Sequence, residues 1–153
     1  MVCSEKDIPL RFPCSSSAFR HLRLDYLASA KKHRMGARTP VEVFDEWAQI
    51  GKDEGMEKGH AAAVNEMLTI ALAEVASLGN IFTAVDAGCG NGWVVRDLRM
   101  MPFCRRAIGV DGAPTMIAKA KEIDPEGEYH LSDLMLWEPD EPVNLVHSME
   151  VFY

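Results

Sequence analysis

The sequence predicts an α/β protein built on a doubly wound parallel sheet. Three apolar runs, at residues 81–85, 107–110 and 129–131, are each followed by a carboxylate within two positions. A helical stripe precedes the first run, and helix-compatible stretches separate the runs. Strands that alternate with helices in this way are typical of a parallel sheet covered by helices.

The helix before the first strand has the most regular pattern in the sequence. Apolar side chains recur there at positions i, i+3, i+4, i+7, i+8 and i+11, which is the spacing of one helical face. Gly79 follows as a predicted stop, because glycine readily takes the conformation that ends helices. A shorter amphipathic helix is predicted at 41–48. The stripe consists of Val64, Met67, Leu68, Ala71, Leu72 and Val75.

The link between the first strand and the next helix is the most informative segment. Residues 81–85 have the composition of a buried strand, and residues 93–101 contain no helix breaker. Between them lie an aspartate and a loop with glycine at every second position. Glycine allows a sharp turn and a close approach of the backbone to a ligand at a helix start. We therefore predict a strand–loop–helix cofactor site around Gly88, Gly90 and Gly92.

The spacing of these glycines separates two classes of cofactor. A dinucleotide fingerprint requires its third glycine at position 93, where this chain has Trp93. The third glycine comes one residue earlier. Asp86 adds a carboxylate, which is unfavourable beside a pyrophosphate and favourable beside a ligand that carries an ammonium and a sulfonium. S-adenosylmethionine carries both groups.

The loop resembles the first motif of the class I S-adenosylmethionine-dependent methyltransferases, which reads acidic-x-Gly-x-Gly-x-Gly. Asp86, Gly88, Gly90 and Gly92 match that motif residue by residue. The resemblance implies a Rossmann-like fold, S-adenosylmethionine as cofactor and methyl transfer as the activity. Cys89 lies inside the loop and is predicted to border the cofactor as a small buried residue rather than as a nucleophile.

A second carboxylate, Asp111, ends the next apolar run 25 residues after Asp86. An acidic residue at about this distance binds the ribose of nucleotide cofactors, since two hydroxyls can donate to one carboxylate. Gly112 follows and belongs to the predicted site. Ala113 then stands where the family often has Ser, so the helix that begins near Pro114 is predicted to lack its own cap.

The third run leads into Ser132 and Asp133, which complete the predicted cofactor site. The resemblance implies that this pair follows the third strand and that Asp133 accepts a hydrogen bond from the adenine amino group. Without the two preceding motifs, an Asp at this place would indicate only a turn. A fourth buried strand is predicted at 143–149.

An upstream segment is similar to the N-terminal lid of some small-molecule methyltransferases. The similarity rests on Trp47, Gly51, Met56 and His60. The alternative is a solvated, charged connector in which Trp47 and Met56 are ordinary core anchors. His60 and His130 are both retained as residues near the cofactor.

Composition predicts one soluble domain, residues 41–153, preceded by a basic extension at 1–40. The chain has 153 residues, 48% of them hydrophobic, with no run of transmembrane length and no secretory signal. Residues 1–40 hold eight basic and three acidic side chains, net +5, and the rest holds eight and twenty, net −12. So acidic a domain disfavours a nucleic-acid substrate. We expect a cytoplasmic protein, and organellar targeting by the extension is the alternative.

The predicted chemistry needs no metal and no assigned catalytic side chain. The four cysteines and five histidines show no metal-ligand spacing. Methyl transfer is an in-line displacement in which proximity and orientation supply much of the rate. The stretch after the fourth strand lacks the Asn-Pro-Pro-Tyr or Asp-Pro-Pro-Tyr sequence of amino-group methyltransferases. We therefore predict a small-molecule acceptor, with Glu150 and Tyr153 as polar candidates beside it.

The family sheet has seven strands in the order 3-2-1-4-5-7-6, and Tyr153 falls just after the fourth. We therefore expect the cofactor-binding half of the domain, with self-association through the open edge of the fourth strand and little turnover by this chain alone. Two alternatives stay open. One is a NAD or FAD oxidoreductase of the Rossmann type, and the other is a non-catalytic methyltransferase-like module that binds a partner.

Overall fold

The computed structural model describes residues 38–77 and 81–151. The predicted extension up to residue 37, the helix stop at Gly79 and the candidate Tyr153 lie outside the described residues. Within them, the chain forms four helices and four strands. In chain order the elements are α1 (Pro40–Gln49), α2 (Asp53–Ser77), β1 (Phe82–Ala87), α3 (Trp93–Arg99), β2 (Cys104–Asp111), α4 (Pro114–Ile123), β3 (Glu128–Leu131) and β4 (Leu145–His147).

The strands form one parallel sheet in the order β3-β2-β1-β4. This order confirms the prediction from the sequence. Asp86 at the end of β1 lies opposite His147 of β4, and Ala87 lies opposite Val110 near the end of β2. The carboxyl ends of the strands therefore meet at one edge of the sheet, which is where open α/β sheets bind ligands.

Helices cover one face of the sheet in the described part of the chain. α2 contributes Val64 and Leu68 to the core, and α3 contributes Val95 and Leu98, each no more than 3% exposed. They join Ala84 of β1 in one apolar cluster, because alternate strand residues point to the same face. α4 adds to this cluster, and α1 packs on α4.

The opposite face of the sheet is covered by the loop between β3 and β4. Arg106 of β2 holds this loop in place by hydrogen bonds to Asp140 of the loop and Glu128 of β3. None of the helices in the described ranges is long and apolar enough to span a bilayer. The apolar contacts on this face join Val85, Ile108 and Val110 of the strands with Leu134, Trp137 and Val143 of the loop.

Two elements differ in length from the prediction. α2 begins at Asp53 and includes most of the segment interpreted as a lid or connector, and Met67 in its stripe is 38% exposed rather than buried. β4 is shorter than the predicted 143–149. Side chains form the hydrogen bonds to β1 at both ends of the strand: Asn144 Oδ1 accepts the Thr83 N–H at 2.9 Å, and the Ser148 hydroxyl donates to the Ala87 carbonyl at 2.9 Å.

Candidate cofactor site

The three glycines of the loop after β1 all take left-handed backbone conformations, but their surroundings differ. Their φ angles are 81°, 54° and 79° for Gly88, Gly90 and Gly92. A Cβ on Gly92 would lie 2.5 Å from the ring of Tyr129, and one on Gly88 would overlap the side chain of Val151. A Cβ on Gly90 would meet nothing closer than 3.9 Å. Gly90 is therefore the glycine with room beside it for a ligand.

Four backbone N–H groups of this loop are already hydrogen-bonded within the protein. Those of Gly88 and Cys89 donate to the Val110 carbonyl at 2.8 and 3.1 Å, and that of Gly92 donates to Cys89 at 2.9 Å. The Gly90 N–H donates to Asp111 Oδ2 at 2.9 Å. A pyrophosphate-binding loop needs such donors free for phosphate oxygens. This arrangement suits a cofactor without phosphate.

Asp111 lies at the centre of the predicted site. Its Oδ1 accepts the Ala113 N–H at 2.7 Å, its Oδ2 accepts the Gly90 N–H, and its carbonyl accepts the Ser132 N–H at 3.0 Å. Burial raises the pKa of this carboxyl above its ordinary value. A carboxylate has about four acceptor positions, so capacity remains for ribose hydroxyls. The structure thus brings Gly90, Asp111, Gly112 and Ser132 together.

Cys89 is turned away from the ligand side of the loop. Its side chain is 3% exposed and lies in the core beside Gly109, and burial raises the pKa of the thiol far above its usual range. A buried thiol of this kind is a packing residue rather than a nucleophile. Since its N–H and carbonyl are also hydrogen-bonded, its place at the cofactor stays a prediction that rests on neighbourhood alone.

Asp86 has a different partner from the one that the sequence suggests. It is 2% exposed, and its Oδ1 shares a hydrogen bond of 2.7 Å with Nδ1 of His147, the residue opposite it in the sheet. Burial raises the pKa of the Asp86 carboxyl. Nε2 of His147 is buried without a hydrogen-bond partner. The structure thus gives Asp86 a buried imidazole partner beneath the loop, and its contact with a charged ligand stays a prediction.

Two candidates on the β3 side are engaged with neighbours. Asp133 is exposed, and its Oδ1 accepts the Met135 N–H at 2.9 Å, so it forms the turn that an Asp at this place would form in any fold. Its second oxygen remains for the adenine contact, which stays a prediction. His130 Nε2 lies 3.0 Å from a Glu128 oxygen, and its ring centre lies 5.7 Å from that of Trp137 with the two planes tilted by 46°. These contacts assign it to the packing of the β3 side.

Two polar residues from distant parts of the sequence meet beyond the end of β4. Nε2 of His60 in α2 and Oε1 of Glu150 lie 3.4 Å apart, and both side chains are partly exposed. Glu150 has a left-handed φ of 53°, which is uncommon for a residue other than glycine. Val151 follows and packs on Gly88. Both residues of the pair were candidates from the sequence, but only the fold reveals that they are neighbours.

A polar network at the start of α2 was not predicted from the sequence. Asp53, only 5% exposed, lies 2.7 Å from Nζ of Lys119 in α4 and accepts the Asn91 side-chain amide of the glycine loop at 3.2 Å. Burial alone would raise the pKa of Asp53, but these two partners hold it below its ordinary value. A carboxylate in the first turn of a helix is common, so nothing local distinguishes this one.

The segment interpreted as a lid is divided between α1 and the first turns of α2. Trp47 packs edge-on against Phe44 at 5.4 Å, with Nζ of Lys52 5.2 Å from its ring. Met56 and His60 lie in α2. Trp47 is therefore an anchor within its own helix, as the connector interpretation expects, while His60 reaches the segment after β4. In the described residues, no three His, Cys, Asp or Glu side chains are grouped as a metal site would need.

Comparison with known proteins finds a family that the glycine loop and its sheet resemble. Residues 84–153 match a family model described as a methyltransferase domain. This part of the chain resembles a class I methyltransferase domain. S-adenosylmethionine is the cofactor of this class, and the site fits it through the ribose-binding capacity of Asp111 and the open space at Gly90.

Curated relatives of the methyltransferase domain include two trans-aconitate 2-methyltransferases. The protein from Escherichia coli O1:K1 / APEC is 31% identical over 89 residues, which are 58% of this chain and 35% of the relative. The protein from Klebsiella pneumoniae (strain 342) is 34% identical over 64 residues, 42% of this chain and 25% of the relative. The chain thus spans about a third or less of the length of the curated relatives it matches.

Solved structures resemble the methyltransferase domain over a longer stretch. The complex of the Haloferax volcanii Trm112 methyltransferase activator with its methyltransferase matches at 32% identity and a TM-score of 0.57, over 77% of this chain and 50% of that one. The DhpI–S-adenosylhomocysteine complex has a TM-score of 0.51 at 24% identity, over 71% and 50%. The second likeness concerns the fold alone.

Proposed function

We propose that this chain binds S-adenosylmethionine and takes part in methyl transfer to a small-molecule acceptor. The observation that carries the proposal is the pairing of Gly90 with Asp111. The Gly90 N–H is used to orient Asp111, and the space beside Gly90 is left open. A ribose can then donate to the carboxylate while its adjoining groups lie against the loop. The same pairing leaves no cluster of free loop N–H groups for a pyrophosphate, which disfavours NAD and FAD.

The bound cofactor would supply a methyl group attached to a positively charged sulfur, and that sulfur is a good leaving group. The chain's own contribution is then to bind the cofactor and the acceptor and to orient them, which supplies much of the rate of an in-line displacement. His60 is the residue that we assign to the acceptor. Nε2–H of the imidazole faces Glu150 Oε1, 3.4 Å away, which orients the ring and leaves Nδ1 to take a proton from a hydroxyl or amine acceptor. An acceptor that is already an anion would need no such proton transfer.

A small-molecule acceptor is supported by the relatives and by the charge of the domain. Two relatives bear the name trans-aconitate 2-methyltransferase, and the domain from residue 41 onward has a net charge of −12. Strong negative charge repels phosphate backbones. We propose in addition that two copies of the chain associate through β4, which forms an edge of the described sheet and exposes Val146.

Ligand-dependent thermal stability tests the cofactor. S-adenosylhomocysteine or S-adenosylmethionine at a hundredfold excess over the dissociation constant should add about 2.7 kcal/mol and raise the melting temperature by several degrees. NAD at the same concentration should leave the melting temperature unchanged. A shift with NAD and none with either methionine-derived compound would overturn the proposal.

A further inference from the structure

The helix that follows Asp111 receives its N-terminal cap from a distant part of the chain. At the N-cap position of α4, Ala113 has an extended backbone, with φ −89° and ψ 114°, and no side-chain hydrogen bond to offer. Asp45 of α1 takes over this role, because its Oδ1 accepts the Thr115 N–H at 2.6 Å. The first turn of a helix has N–H groups without partners inside the helix, and such a carboxylate satisfies one of them.

This hydrogen bond fixes α1 against the residues that follow the ribose-binding carboxylate. Phe44 and Ala48 of α1 pack with Ala113 and Met116 in one apolar cluster. Val41 lies so close to Gly112 that a Cβ there would be 3.0 Å from its methyl group. The capping bond and these apolar contacts lie on the same face of α1, so they act together to dock it.

The surface under α1 borders the open part of the glycine loop. Met116, which α1 covers, has its sulfur 3.9 Å from the place where a Cβ of Gly90 would be. The carboxylate of Asp45 also interacts electrostatically with that of Asp111. Burial is the main cause of the raised pKa of Asp111, and the Asp45 charge adds to it. α1 therefore stands as an outer wall beside the ribose end of the cofactor site.

We propose that Asp45 is a positioning residue of the cofactor site, which acts by docking α1 through the start of α4. The inference rests on the proposed function, since it requires the chain to bind its cofactor at Asp111. Docking of α1 completes the wall of the site, and a bound cofactor in turn holds the wall in place. Because such coupling is reciprocal, losing the dock weakens cofactor binding, and cofactor binding protects α1.

Three variants of the full chain separate docking from simple capping. Asp45→Ala removes the accepting oxygen. Asp45→Asn keeps an accepting oxygen and removes the charge, which makes it the conservative rescue. The double variant D45A/A113S gives α4 a local serine cap on a backbone that is already extended, while α1 stays without its tether. Ala113→Ser alone is the matched control for the double variant.

Two measurements report on these variants: S-adenosylhomocysteine affinity by calorimetry, and hydrogen exchange of the α1 amides with and without that ligand. We expect D45A to bind about fivefold more weakly, D45N to stay within about twofold, and D45A/A113S to regain thermal stability without regaining affinity. Ligand should protect α1 in the unsubstituted chain and not in D45A. Should D45A fail to fold, D45A/A113S against A113S makes the same comparison.

Unchanged affinity in D45A, or full recovery of affinity in D45A/A113S, would show that Asp45 is a cap and nothing more. Either result would overturn the inference while leaving the proposed function intact. Failure of the unsubstituted chain to bind S-adenosylhomocysteine would instead overturn the proposed function, and the inference with it.

Discussion

At the scale of single residues, Gly92 and Gly51 form a natural comparison. Both have left-handed backbones, with φ 79° and 76°, so an alanine at either is strained by a similar amount. They differ in surroundings, because a Cβ at Gly92 would strike the ring of Tyr129 and one at Gly51 would meet open space.

Gly92→Ala should therefore destabilise the fold more than Gly51→Ala. We expect Gly51→Ala to cost about 1 kcal/mol of unfolding free energy from backbone strain, and Gly92→Ala about 1–3 kcal/mol more from overpacking. Urea denaturation of both variants measures the difference. Equal losses would mean that the Tyr129 ring moves aside freely.

Asp111 should make cofactor binding sensitive to acid. Its pKa is raised in the folded chain, so the carboxylate that accepts ribose hydrogen bonds is lost at a higher pH than for an ordinary Asp. The raised pKa of Asp111 has the opposite consequence for the stability of the fold. Its stabilising contribution is present at low pH and is lost as the pH rises through the pKa that Asp111 has in the folded chain. We expect S-adenosylhomocysteine affinity to fall on acidification while the unliganded chain does not lose stability through this group.

The control for that prediction is Asp111→Asn, which cannot titrate. It should bind S-adenosylhomocysteine more weakly near neutral pH, by about 1.5–3 kcal/mol for a lost charge-assisted bond, and with a flatter pH profile. Calorimetry across the acidic range, in parallel with the unsubstituted chain, measures both. Parallel profiles would assign the pH dependence to another group.

At this scale, the features of the site that could be predicted are those that depend on a local sequence pattern. The turn at the glycines and the position of Asp111 at the end of β2 follow from such patterns, because each depends on its own backbone and on the strand that precedes it. Their contacts with the cofactor stay predictions. The buried imidazole partner of Asp86 could not be predicted in this way, because His147 becomes its neighbour only through the register of β1 and β4.

At the scale of elements, Asp53 joins three parts of the fold: the start of α2, the glycine loop and α4. The carboxylate is almost fully buried, and its two partners are Lys119 and Asn91. Removing one partner of a buried ion pair leaves an uncompensated charge, which costs more than the pair itself contributes.

Lys119→Met should therefore destabilise the fold by about 2–3 kcal/mol, and Asp53→Asn in the same chain should recover most of that loss. Because folding lowers the pKa of Asp53, its contribution is present above the ordinary carboxyl value and lost as the pH falls through the folded value. Lys119→Met should also reduce this acid loss. Denaturation of the single and double variants completes the cycle, with the exposed Lys121→Met as the control. Additive effects would exclude a coupled pair.

Elements were predictable where the chain repeats one pattern. The core of α2 follows its apolar stripe, and β1 and β2 follow their apolar runs. The start of α2 was missed because Gly55 and Gly59 interrupt the helical pattern, although both lie on the exposed side of the helix. Its stability comes from tertiary contacts, which a local propensity does not contain.

At the scale of the whole molecule, the sheet order followed from the family resemblance rather than from any local pattern. The order places β3 and β4 at the two edges of the described sheet. β4 carries Val146, which is 62% exposed. An apolar side chain on an edge strand favours pairing with another chain, and lysine at such a place opposes it.

Val146→Lys should therefore reduce association of the chain. Sedimentation velocity over a range of concentrations should detect concentration-dependent association of the unsubstituted chain and less of it in the variant. Leu131→Lys, which changes an exposed apolar residue on the opposite edge strand, is the matched control. A monodisperse unsubstituted chain at all concentrations would contradict the proposed association through β4.

The cap that Asp45 gives to α4 also constrains the order in which the protein folds. The two bonded residues are 70 positions apart in the chain. Closing a free loop of that length costs about 4 kcal/mol, whereas one capping bond returns only about 1 kcal/mol. The bond cannot form early, and it becomes favourable only once β1 and β2 have paired and brought the two helices close. We therefore expect the capping bond at the start of α4 to form after the sheet on which the helix lies.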